Sequence, residues 1–95
     1  MSPKSHAEMA AEYQSAANDF RAQADRHRAA SGAIDQLADG ESNPTLRLEL
    51  EGKASELRRL ATESEQGAVR WDDHARRQGD LALEDARRAL LEVAK

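Results

Sequence analysis

The chain has 95 residues and a mass of 10.5 kDa, which limits it to one small domain spanning residues 1–95. Nineteen of its apolar residues are Ala and only eighteen are larger, so the core must be thin, and this excludes the large core of a typical enzyme domain. The absence of Cys excludes disulfides, thiolate metal sites and cysteine nucleophiles. The net charge of −4 is unlike that of non-specific polyanion binders, which are normally basic.

Two helices are predicted from their start and stop signals. Ser5 and Glu8 form a capping box, so a first helix is predicted over residues 5–38. A turn is predicted at 39–43, where Gly40 follows the last helical residues. Asn43 is the predicted N-cap of a second helix over 44–95, and Pro44 is its first residue. Because β-branched residues are scarce and no apolar residues alternate with polar ones, the fold class is all-α.

A seven-residue repeat runs through both predicted helices. In the first helix it comprises His6, Tyr13, Phe20, His27 and Ile34, and in the second it comprises Ala54, Ala61, Ala68, Ala75, Ala82 and Ala89. Repeats of this period with a small-residue edge are typical of coiled-coil-like packing at short interaxial distance. We therefore expect an antiparallel two-helix hairpin with an Ala-rich seam, in which the numbers of facing residues add to about 82. This register places Phe20 opposite Leu60 and Tyr13 near Trp71.

The two predicted helices differ in length, and the longer one ends in an apolar stripe. At 1.5 Å per residue the first is about 50 Å long and the second nearly 80 Å, so the chain beyond Gln78 has no partner within the hairpin. Two alternatives would cover the stripe. The helix breaks at Gly79, with Asp80 as a new N-cap and a short third C-terminal helix folding back, or the stripe contacts another chain. A symmetric pair of hairpins would form a four-helix bundle.

These features predict a non-enzymatic helical-hairpin module for protein–protein interaction. It would act as a homodimer or as an adaptor that docks on another helical protein. The predicted contact residues are the apolar side chains of the C-terminal stripe and of the aromatic end of the hairpin: Met9, Tyr13, Phe20, Trp71, Leu81, Leu83, Ala86, Leu90, Leu91 and Val93.

Metal, cofactor and catalytic sites are not predicted. The register brings His6 and His74 towards each other, but no two histidines share the spacing that places ligands on one helix face. His27 falls on the seam, where we expect it to hydrogen-bond across the helices. The sequence contains no phosphate-binding loop, nucleophile elbow or paired inward carboxylates, so no cofactor or small-molecule substrate is expected.

A nucleic-acid-binding regulator is the alternative from another functional class. Eleven arginines include adjacent pairs such as Arg58-Arg59 and Arg76-Arg77, and guanidinium groups contact phosphates well. Most of these clusters have an acidic residue within four positions on the same helix, and neither helix has the length of a recognition helix. Nucleic acid is therefore the less favoured partner.

The length, the all-helical hairpin and the absence of Cys also resemble the small helical-hairpin proteins of type VII secretion systems. That resemblance implies export without a cleaved signal peptide. The family's Trp-x-Gly turn is replaced here by the turn around Gly40, and the sole Trp is Trp71 within the second helix. The family's Tyr-x-x-x-acidic tail signal is also missing, since the sole Tyr is Tyr13. No signal-peptide or membrane-spanning run occurs in the sequence, so a cytoplasmic protein is expected, with such export as the alternative. Abundant Ala and Arg with little Lys resembles proteins of GC-rich bacterial or phage genomes.

Overall fold

The computed structural model describes residues 3–94 as an antiparallel hairpin of two helices, α1 (His6–Asp39) and α2 (Pro44–Val93). The hairpin measures 78 × 24 × 13 Å, so it is one layer of helices thick. The described residues contain no strand. The predicted all-α hairpin is confirmed.

Side-chain caps fix where each helix begins. The Ser5 hydroxyl accepts a hydrogen bond from the backbone N–H of Glu8 at 3.1 Å, and this satisfies a donor that has no partner within the helix. Asn43 Oδ1 accepts from the N–H groups of Thr45 at 2.9 Å and Leu46 at 3.3 Å. Pro44 follows as the first residue of α2, where its missing N–H removes no hydrogen bond. The N-caps predicted at Ser5 and Asn43 are confirmed, but the Glu8 carboxylate accepts from the Ser5 hydroxyl at 3.2 Å rather than from a backbone N–H, as a capping box would require.

The second helix is continuous through its three internal glycines, Gly52, Gly67 and Gly79. None of them adopts a positive φ, and Asp80 lies within the helix rather than capping a new one. The break at Gly79 and the short third helix therefore do not form in residues 3–94. A glycine costs a helix about 1 kcal/mol relative to Ala, which the neighbouring good helix formers can offset. Lys95, the end of the predicted second helix, lies outside the described residues.

Small side chains form the seam between the helices. In the part of the chain that the structure describes, no large side chain is fully buried. Ser31 donates a hydrogen bond across the seam to the carbonyl oxygen of Ala54 at 3.1 Å. The buried residues repeat every seven positions over most of the seam, and they are Ala17, Ala24, Ser31 and Ala38 in α1, with Ala54, Ala61, Ser64, Gly67, Ala68 and Ala75 in α2. The larger apolar side chains consequently lie beside the seam, where solvent still reaches them.

The register differs by a few residues from the one predicted by counting from the turn, although Tyr13 lies beside Trp71 as predicted. Phe20 lies against Gly67 rather than opposite Leu60, and His6 contacts Asp85. Ser31 and Ala54, which contact each other, have numbers that add to more than the predicted value. The difference arises because each helix presents its small residues to the other, and this rotational requirement moves α2 by a few residues relative to the centre of the turn.

Candidate interaction surface

The hairpin has two broad faces that differ in chemistry. A residue three positions after a buried alanine lies on one side of the seam, and a residue four positions after it lies on the other side. The first set, together with the residues one position before each seam residue, makes an apolar face, which we call the aromatic face, and the second set makes the ion-pair face. The aromatic face comprises His6, Met9, Tyr13, Phe20, His27 and Ile34 of α1 with Leu50, Leu57, Leu60 and Trp71 of α2, all half-buried.

Three rings cluster on the aromatic face towards the open end of the hairpin. The ring centroids of Tyr13 and Trp71 are 5.3 Å apart, and that of His74 lies 6.0 Å from Tyr13 and 5.7 Å from Trp71. These are the tilted and edge-on geometries that aromatic pairs favour. Further along the seam, Phe20 lies over Gly67 so closely that a Cβ atom built at Gly67 would be 2.9 Å from the ring. The absence of a side chain at Gly67 thus makes room for the phenyl ring.

Three salt bridges cross between the helices on the ion-pair face, and they repeat every seven residues. Arg58 Nη1 lies 2.8 Å from Asp35 Oδ2, and the same guanidinium donates to Ser31 and Ser55, both at 3.1 Å. The other two bridges join Arg28 to Glu65 and Arg21 to Asp72. These ion pairs partly neutralise arginines that would otherwise be available to phosphates.

At the open end, α2 extends beyond α1. The contact between His6 Nδ1 and Asp85 Oδ2, at 2.7 Å, joins the first residue of α1 to α2, and residues 86–93 form an overhang of about two turns. On this overhang the apolar side of α2 changes, because Asp85 and Glu92 occupy the aromatic-face positions while Ala86 and Val93 occupy the ion-pair-face positions. Leu90 extends the apolar stripe and is 71% exposed.

The residues predicted as one contact surface therefore fall into separate groups. Four of them, Met9, Tyr13, Phe20 and Trp71, lie on the aromatic face. Four others form a stripe, hereafter the overhang stripe, along the exposed end of α2, and they are Leu83, Ala86, Leu90 and Val93. The helical phase places Leu81 and Leu91 on other sides of α2. Distance from the turn does not distinguish the two groups, whereas the heptad positions of their residues do.

The turn end carries exposed leucines that were not predicted as contacts. Leu37 is 63% exposed, Leu46 46% and Leu48 68%. Leu37 shares its heptad position with Met9, one residue before a buried small residue, so the aromatic face continues to the turn. Leu46 has the heptad position of Leu60, which also lies on this face, whereas Leu48 has that of Leu83 and Leu90. These heptad positions are visible in the sequence.

The histidines do not come together. His6 pairs with Asp85, whereas His74 contacts Tyr13 and Trp71, about two helical turns nearer the hairpin turn than His6. His27 is half-buried on the aromatic face. Within residues 3–94 no three His, Asp or Glu side chains are arranged to hold a metal ion.

At the N-terminus, a hydrogen bond to the Glu12 carboxylate and the charge of that group raise the pKa of Lys4 above 10.5.

The remaining observations concern membranes and known proteins. Neither helix, over the residues described, has an apolar stretch long enough to cross a bilayer. Comparisons with models of protein families, with curated proteins and with solved structures gave no match. A function is therefore inferred from the surfaces of the hairpin.

Proposed function

We propose that the protein is a non-enzymatic helical-hairpin interaction module that functions as a homodimer. The observation that carries this proposal is the size of the buried side chains. Among residues 3–94 the buried residues are all Ala, Ser or Gly, and no large side chain is fully buried. The aromatic and branched side chains lie beside the seam on a layer 13 Å thick.

The physical reason is the small hydrophobic gain available to one hairpin. Complete burial of a Leu or Phe side chain contributes about 1.5–3 kcal/mol, and that gain is only partly realised for Phe20, Ile34 and Leu57, which remain half-exposed. Domains with a small core are often stabilised by oligomerisation or by cross-links, and this chain has no Cys to form a disulfide. A second hairpin would complete the burial of these side chains.

The direct test is light scattering coupled to size-exclusion chromatography over a dilution series of the untagged protein. We expect a mass about twice the 10.5 kDa of the chain, together with a thermal midpoint that rises with protein concentration. A helical monomer at every concentration, with a concentration-independent midpoint, would contradict the homodimer.

The uncovered end of α2 favours a second candidate function, that of an adaptor. Leu83 is 68% exposed and Leu90 71% exposed; Leu90 lies on the two turns that α1 does not reach, and Leu83 lies one turn before Ala86 on the same stripe. An amphipathic helix of another protein could lie along this stripe in the helix-in-groove manner. A monomeric hairpin that binds a helical partner through Leu83 and Leu90 would support this function over the homodimer.

A further inference from the structure

Two apolar surfaces of the hairpin are uncovered, the aromatic face and the overhang stripe, and their occupants need not be the same. We infer that a second copy of the chain covers the aromatic face, so that two hairpins stack face to face in a four-helix bundle. This inference rests on the proposed homodimer and adds the surface through which it forms.

The side chains of the aromatic face are suited to burial against a second copy. In the described hairpin, no Asp, Glu, Lys or Arg occupies its positions between Tyr13 and Ile34 or between Leu57 and Trp71. The polar residues there include Gln23, an uncharged amide that lies near its centre. Burial of such a surface against its own copy desolvates few charges, so the cost of association is low.

The opposite face carries the converse pattern. The guanidinium and carboxylate groups of Arg28 and Glu65 are each about half exposed, and so are those of Arg58 and Asp35. Transfer of an ion pair from water into an interface costs several kcal/mol per ion before attraction compensates. The ion-pair face therefore remains in solvent, which leaves the aromatic face as the broad surface available to a second hairpin.

The two apolar surfaces also differ in the area that they could bury against a second copy. A specific interface buries about 800 Å² per partner. The overhang of eight residues is only about 12 Å long, which is too short for an interface of that size. The hairpin is 24 Å wide and α1 is about 51 Å long, which gives the face a footprint of roughly 1,200 Å². Of the two apolar surfaces, the aromatic face alone has the area that a stable dimer requires.

The test compares the same substitution at two adjacent positions of α1. Ala30 lies on the aromatic face, in the heptad position of Met9 and Leu37, whereas Ala29 points away from both the seam and this face, and both residues are exposed. We expect Ala30→Glu to convert the dimer to a monomer at concentrations where the unmodified chain is dimeric, because it places a carboxylate in the interface. Ala29→Glu should retain the dimer mass, and far-ultraviolet circular dichroism should remain helical for both.

A second measurement uses the absence of Cys, which makes single introduced thiols specific probes. Gln23 lies near the middle of α1, so a two-fold axis through the centre of the aromatic face brings it near its own copy whether the turns lie at the same end or at opposite ends. Thr62 lies at a similar height on the other side of the hairpin. With a bifunctional maleimide, Gln23→Cys should form covalent dimers and Thr62→Cys should not.

The outcomes separate this inference from the proposed function. Loss of dimer mass only in Ala30→Glu, with cross-linking only through position 23, supports the aromatic face as the interface. If the unmodified chain is dimeric but both variants retain its mass, or position 62 cross-links as readily as position 23, the face assignment is overturned while the homodimer stands. A monomeric unmodified chain overturns both.

Discussion

Gly67 shows how a single missing side chain determines the packing beside it. The ring of Phe20 occupies the space that a Cβ atom at position 67 would need, although glycine is otherwise unfavourable within a helix. Gly67 therefore leaves space for a large ring. Its role depends on the register, which brings Phe20 to this position.

Gly67→Ala should destabilise the hairpin, whereas alanine at Gly52 or Gly79, the other two glycines within α2, should stabilise it. No atom lies within 4 Å of a Cβ built at Gly52 or Gly79, so Gly52→Ala and Gly79→Ala should each gain about 0.8–1 kcal/mol from helix propensity. At Gly67 the same gain is opposed by overpacking against Phe20, which costs about 1–3 kcal/mol. Urea denaturation measures all three free energies of unfolding. Equal stabilisation at the three positions would show that the ring of Phe20 does not depend on Gly67.

The pairing of the two helices is specified by the ion pairs as well as by the seam. Because the small residues of the seam recur every seven positions, they would also face each other if one helix slipped along the other by one heptad. The slipped registers, however, would bring Arg28 opposite Arg58 in one direction, or Asp35 opposite Glu65 in the other. The Asp35–Arg58 pair has the opposite polarity to its two neighbours, and this reversal makes both slips unfavourable.

Exchange of charges in the central pair tests this account of the register. Arg28→Glu replaces the attraction to Glu65 by repulsion and should lower stability by about 1 kcal/mol, near the upper end for exposed pairs. Arg28→Glu with Glu65→Arg should recover most of that loss, since opposite charges face each other again. A double-mutant cycle in urea, at low and high salt, measures the coupling, which should weaken with salt.

The control for this cycle is Arg26→Glu, a charge reversal at another exposed position of α1, for which a smaller change is expected. Zero coupling between positions 28 and 65 would leave the small residues of the seam to determine the register without the ion pairs.

The ends of the helices were predictable because they depend on local chemistry. Ser5, Asn43 and Pro44 act through backbone groups within a few residues of themselves, so sequence spacing suffices to identify them. The register was not predictable by counting from the turn, because it depends on the rotation of each helix about its axis. Heptad positions contain that information, and they also separate Trp71 on the aromatic face from Leu90 on the overhang stripe.

The hairpin as a whole therefore has two apolar surfaces that lie on opposite sides of it. The aromatic face follows the length that the two helices share. The overhang stripe begins near His6, the first residue of α1, at the open end of the hairpin. There the aromatic-face positions of α2 are occupied by the charged residues Asp85 and Glu92. A dimer formed through the aromatic face would leave both overhangs uncovered, so that the assembled bundle would present two further helical surfaces.

Leu83→Asp combined with Leu90→Asp should consequently leave self-association unchanged. Both side chains project from the overhang stripe, at 68% and 71% exposure, and the introduced carboxylates would remain in solvent in a dimer that uses the aromatic face. We expect the double variant to retain the mass of the unmodified dimer in light scattering and to retain helical circular dichroism. Ala30→Glu, measured at the same concentrations, shows what loss of the interface looks like. A monomeric double variant would mean that the overhang stripe itself forms part of the contact between copies, as it would if each overhang lay along the other hairpin rather than beyond it.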